Sequence, residues 1–185
     1  MRQLVLLGAM LTALVAPAHA AFESAYTDLD LDDCLLLEAD DFGARWSCPG
    51  YRGYPMFVAE GDLRFFVGYG FEAPRSVAAG QTLPPFNYLG PRVEWRLSNA
   101  TGRWLPVATI VRFFTDIEAG QGSNQVLVVT QIDWQDEDNS CHIAYIDATA
   151  NADANQMARD AADRLAGTFE CAGSEIERIG PFEAF

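Results

Sequence analysis

Val93-Glu94-Trp95-Arg96-Leu97-Ser98 alternates apolar and polar residues without a break, and Asn99-Ala100-Thr101-Gly102 turns it directly into a second β-rich run, Trp104 to Thr115. Period-two alternation sends successive side chains to opposite faces, so Val93, Trp95 and Leu97 are expected to face a core and Glu94 and Arg96 to face water. Gln125 to Trp134 follows, and its centre, Val126-Leu127-Val128-Val129, is apolar on both faces, which places it centrally beneath a covering helix. Asp136-Glu137-Asp138-Asn139 then leads into a further strand, Cys141 to Thr149. Consecutive strands joined by short turns make an antiparallel meander.

Upstream the pattern repeats. Leu35 to Asp40 and Ala44 to Pro49 read as a hairpin about Asp40-Asp41-Phe42-Gly43. Tyr54 to Glu60 and Leu63 to Tyr69 read as another, about Gly61-Asp62, a two-residue loop suited to a type II′ turn. Pro55 belongs on an edge strand or at the start of one. Residues 71 to 92, rich in proline and glycine, form a long connection with one helical turn near Ser76 to Gly80. Arg-Phe-Phe at 64 to 66 recurs at 112 to 114, a hint of duplication.

One helix is expected, from Asp153 to Ala166, with Met157, Ala161 and Leu165 in one stripe, Ala158 and Ala162 beside it, and Arg159, Asp160, Asp163 and Arg164 outward. Gly167 stops it. The fold class is therefore α+β: a mainly antiparallel β meander of about eight strands, a curved sheet or a sandwich, with one C-terminal helix packed on it.

Residues 1 to 20 read as a cleavable signal peptide: Arg2, a short apolar run from Leu4 to Val15, and an A-x-A ending at Ala18-His19-Ala20. Residues 21 to 185 then form a single domain, periplasmic or secreted, with no membrane span. The four cysteines, Cys34, Cys48, Cys141 and Cys171, read as disulfides in such a compartment. Cys34 and Cys48 are symmetric about residue 41, so the first hairpin places them face to face. A strand from Cys141 travels about 26 Å and the helix returns about 20 Å, which brings Cys171 back beside Cys141.

The chain carries 12 basic and 26 acidic residues, for a net charge of -14, and every basic side chain is an arginine. Nucleic acid and anionic membrane are poor partners for it. The absence of lysine removes Schiff-base chemistry and a P-loop.

Beyond the leader the only histidine is His142, on a strand, where it should face away from Cys141, Ile143 and Tyr145. It has neither a nucleophile nor an orienting acid beside it in sequence, and no catalytic residue is assigned. No cofactor motif occurs, so no cofactor is expected. Asp28, Asp30 and Asp32 open like a calcium loop, but Asp33 stands where glycine is required and Ala39 where the bidentate glutamate belongs. Tyr51, Arg52 and Tyr54 sit on a loop beside a disulfide. They are residue types that dominate binding interfaces, on a platform that loses little entropy when it binds.

Cys48-Pro49-Gly50-Tyr51, the run Val58 to Val67, Glu94-Trp95-Arg96-Leu97 and the run Cys141 to Ala148 together resemble a group of small exported alphaproteobacterial proteins with no assigned activity. The resemblance spans nearly the whole chain after the leader and implies a periplasmic location, but no functional residue. The expected function is non-enzymatic binding of a protein or envelope component, with a cationic target favoured by the charge. The alternative is a secreted hydrolase using carboxylates or His142.

Overall fold

A computed structural model describes residues 21–116 and 123–182, so residues 1 to 20, read above as a signal peptide, lie outside the described residues. Among the described residues ten strands form two sheets, with one α-helix. In chain order the strands are β1 (Phe22–Asp28), β2 (Leu35–Asp40), β3 (Gly43–Cys48), β4 (Met56–Gly61), β5 (Arg64–Tyr69), β6 (Asn87–Ser98), β7 (Leu105–Asp116), β8 (Ser123–Gln131), β9 (His142–Asp147) and β10 (Glu177–Ile179), and α1 spans Ala154–Leu165. One sheet has the order β1-β6-β7-β8-β9-β10 and the other β2-β3-β4-β5.

The inner faces of the two sheets meet over Met56, Val58, Val67, Val93, Trp95, Phe113 and Val128. The outer face of the larger sheet, with Ile110, Leu127, Val129, Ile143 and Ile146, is covered by α1. The molecule is thus a β-sandwich with a helix as third layer. Because β8 is buried on both faces, its central run has no polar residue, as its sequence implied. The helix buries Ala154, Ala158, Ala161 and Ala162, with Met157 and Leu165 flanking, and this alanine column lets its backbone approach the sheet closely.

Helix cover changes the reading of β6. Glu94 and Arg96, expected in water, are 8% and 6% exposed. Their counterparts are Arg159 and Asp163, expected to point outward: Arg159 Nε donates to Glu94 Oε1 at 2.7 Å, and Arg96 grips Asp163 through Nε at 2.9 Å and Nη2 at 2.6 Å. Alternation marked the strand correctly, but its polar face meets a polar flank of the helix.

Both disulfides form as spacing implied, Cys34–Cys48 with Cα atoms 4.4 Å apart and Cys141–Cys171 with 5.8 Å. Such bonds belong to an oxidising, extracytoplasmic environment. Buried Gln131 secures the second staple's surroundings: Nε2 donates to the Asn139 and Phe169 carbonyls, and Oε1 accepts from the Gly167 amide.

Other expectations shift. The β4–β5 turn is Asp62-Leu63, one residue later than expected, and both have left-handed backbone, φ 53° and 58°. Two such residues make a type I′ rather than a II′ turn. The connection after β5 holds two 3-10 turns, Ala73–Arg75 and Ala78–Gly80, and ends earlier than expected because β6 begins at Asn87. β1 and β10, which no local pattern announced, flank the larger sheet. The two Arg-Phe-Phe triplets fall on β5 and β7, the fourth strand of one meander and the second of the other, so they do not mark equivalent places. Among the described residues no helix is long and apolar enough to cross a membrane.

Candidate functional site

Strand β2, Leu35-Leu36-Leu37-Glu38-Ala39-Asp40, is one of the two outer strands of the smaller sheet, and every residue of it is exposed. Leu35, Leu36 and Leu37 are 67%, 53% and 53% exposed. Among the described residues β2 pairs with β3 alone, so its other edge presents unpaired amides and carbonyls. Exposed apolar edges are templates for pairing with another chain, and proteins ordinarily blunt them with charge or bulges. Here the charges lie outside the leucines: Asp32 and Asp33 before them, Glu38 and Asp40 after.

A bulge, where the register shifts between Leu36 and Glu38, brings Glu38 opposite Arg45 on the outer face of the sheet, the face on which alternation from Leu35 already sets Leu37. There Leu37 lines a groove of about 610 Å³ with Arg45, Phe57, Ala59, Phe66 and Pro74. The Cys34–Cys48 disulfide clamps the start of β2 to the end of β3, so the edge cannot peel away. At that end lies an acidic hollow of about 600 Å³, walled by Asp28, Asp30, Asp33, Arg92 and Gly50 over the disulfide. Phe42, 85% exposed, tips the hairpin at the opposite end. The sequence signal for this edge was a run of three leucines without alternation, bracketed by acids. Its pairing with β3 was legible, but its exposure was not.

The tyrosine loop is built differently from the open platform its composition suggested. Gly50 allows the chain to pass within contact of Trp95 and the Tyr54 carbonyl; a Cβ there would stand 2.1 Å from that oxygen. Tyr51 then leans on Trp95 with centroids 6.2 Å apart, and Tyr54 meets Trp95 edge-on at 6.3 Å. Both tyrosines are half-buried plugs at the end of the sandwich. Arg52, left-handed at φ 50°, stays exposed with its guanidinium 5.1 Å above the Tyr51 ring. The loop offers one cation rather than two free aromatics.

The carboxylates of Asp28 and Asp30 are already engaged. Asp28 lies 3.6 Å from Arg92, and Asp30 accepts the Asp32 amide at 3.0 Å, capping a 3-10 turn. Among the described residues no three His, Cys, Asp or Glu side chains are grouped to hold a metal ion.

His142 is buried between the sheets, with Nδ1 2.9 Å from the Tyr145 hydroxyl. A bulge in β9 explains the company it keeps. Val129 pairs with Ala144 and Thr130 with His142, so Ile143 is the extra residue and His142 shares the face of Tyr145 rather than opposing it. The face continues as a straight row, Ala25, Trp95, Thr109, Thr130 and His142, across five strands. Burial pulls the imidazole down to about 3 and pushes the Tyr145 phenol up to about 12. Tyr69, edge-on to Trp95 at 5.6 Å, is held well above its usual value by burial, opposed in part by Thr109 and Thr130. These groups are neutral packing elements in the core rather than an acid–base pair facing a cleft.

No protein-family model, curated protein or solved structure matches this chain.

Proposed function

We propose that this is a non-enzymatic extracytoplasmic docking domain that holds an extended segment of a partner protein by adding it as a strand to β2. The observation that carries the reading is the edge itself, a fully exposed strand with three consecutive leucines, pre-ordered by a disulfide at one end. Backbone pairing supplies affinity in strand addition and alternate side chains supply specificity. The side chains to be met are apolar at Leu35 to Leu37 and acidic at Asp32, Asp33, Glu38 and Asp40, so the occupant is an apolar stretch flanked by basic residues. The net charge of -14 attracts such a partner and opposes a second copy of this chain.

The test is fluorescence anisotropy with two synthetic ten-residue peptides of alternating valine and threonine, one flanked by arginines and one by glutamates. Saturable binding of the arginine-flanked peptide, weakened at least tenfold by Leu35→Arg/Leu37→Arg and absent for the glutamate-flanked one, supports the reading. Both substituted positions are exposed, so the variant should retain its fold, which circular dichroism checks. Equal binding by wild type and variant, or a concentration-dependent dimer that the variant abolishes, overturns it; the second result would give the edge to another copy of the chain.

A further inference from the structure

Between Leu89, paired with Phe113, and Val93, paired with Val111, strand β6 carries Gly90, Pro91 and Arg92 opposite the single residue Arg112 of β7. Bulges disrupt a ladder and re-aim side chains. Here the disruption leaves a recess of about 190 Å³ between the sheet and the start of α1, lined by Tyr26, Arg92, Glu94, Arg112 and Asn155. Gly90 permits the close approach: a Cβ there would lie 3.2 Å from both the Cβ and the carbonyl oxygen of Arg112.

Arg112 is the unusual member. Its guanidinium donates to two neutral oxygens, Gln125 Oε1 at 2.7 Å and Asn155 Oδ1 at 3.2 Å, and among the described residues it has no carboxylate partner. This is notable in a chain with more than twice as many acids as bases. Burial disfavours its charged form. The other charges around the recess are matched: Glu94 is held by Arg159, and Arg92 lies near Asp28. A guanidinium has five N–H donors in a planar fork suited to carboxylate or phosphate, and the described residues occupy two of them.

We propose that this recess binds an oxyanion, a carboxylate or a phosphoryl group, on the free donors of Arg112. The site lies on the larger sheet, away from β2, and stands or falls independently of strand docking.

The experiment is titration of the protein with inorganic phosphate and, separately, with acetate, read by the ¹⁵N shifts of the Arg112 side chain and of the Gly90 and Asn155 amides. Saturable shifts with either anion in wild type, weakened at least tenfold in Arg112→Gln and unchanged in Arg45→Gln, support the site, and the anion that acts names the ligand class. Asn155→Asp supplies a second variant that leaves Arg112 in place. It puts a carboxylate where Arg112 now meets an amide, in a first helical turn that favours acids. It should therefore raise the melting temperature while abolishing the anion response. Absence of saturation with both anions, or a response that survives both Arg112→Gln and Asn155→Asp, overturns the proposal.

Discussion

Removing the Asp163 carboxylate tests the most consequential departure of the structure from its sequence pattern. Arg96 projects from the outer face of β6 and donates twice to Asp163 and once, at 2.6 Å, to Ser24 Oγ. Ser24 in turn donates to Glu94, which Arg159 also holds. Five side chains from β1, β6 and α1 thus form one network under the helix. In Asp163→Ala the Arg96 charge stays buried, because its position is fixed by the strand, and loses its counter-charge. Breaking a buried pair in this way costs about 3–5 kcal/mol, and the low end applies because Asp163 is a quarter exposed. For a domain of this size about 3 kcal/mol lowers Tm by roughly 6–12 °C. Urea unfolding followed by tryptophan fluorescence measures it, with Arg96→Met/Asp163→Leu as the companion variant. Replacing both partners removes the stranded charge, so the double variant should lie closer to wild type than either single one. A cost below about 0.5 kcal/mol for Asp163→Ala is what a solvated surface position would give, and it would refute helix cover over this face of β6.

Two further outcomes follow from the core and the staples. His142 is neutral in the folded protein, its value pulled down to about 3, whereas the unfolded chain protonates it near 6.5. Its contribution is therefore fully present above about pH 6.5 and is lost toward pH 3, at about 1.4 kcal/mol per pH unit. His142→Gln should flatten acid destabilisation by up to one proton's slope, and identical urea midpoints against pH in both proteins would contradict the burial. Loss of Cys34–Cys48 through paired alanines should cost about 3 kcal/mol, and loss of Cys141–Cys171 about 3.7, from loop-closure entropy. Only the first should also weaken the arginine-flanked peptide, since only that bond holds the β2 edge; equal weakening by both would detach the disulfide from docking.

Local pattern determined a good deal here. The strand alternation of β6, the apolar run of β8, the symmetric spacing of Cys34 and Cys48 and the single amphipathic helix depend on neighbours in sequence, and each appears where the residues put it. Tertiary structure decided what lies opposite a face. Glu94 and Arg96 are polar enough for water, and only the docking of α1 buries them against Arg159 and Asp163. One extra residue at Ile143 moves His142 to the face of Tyr145, one between Leu36 and Glu38 sets Glu38 on the face of Arg45, and three residues opposite Arg112 open a recess. A bulge has no reliable signature in a period-two pattern, because it is fixed by the partner strand's register. The same holds for edges: whether Leu35 to Leu37 are covered depends on which strands arrive beside them. That is a property of sheet order, and the six residues of β2 carry no record of it.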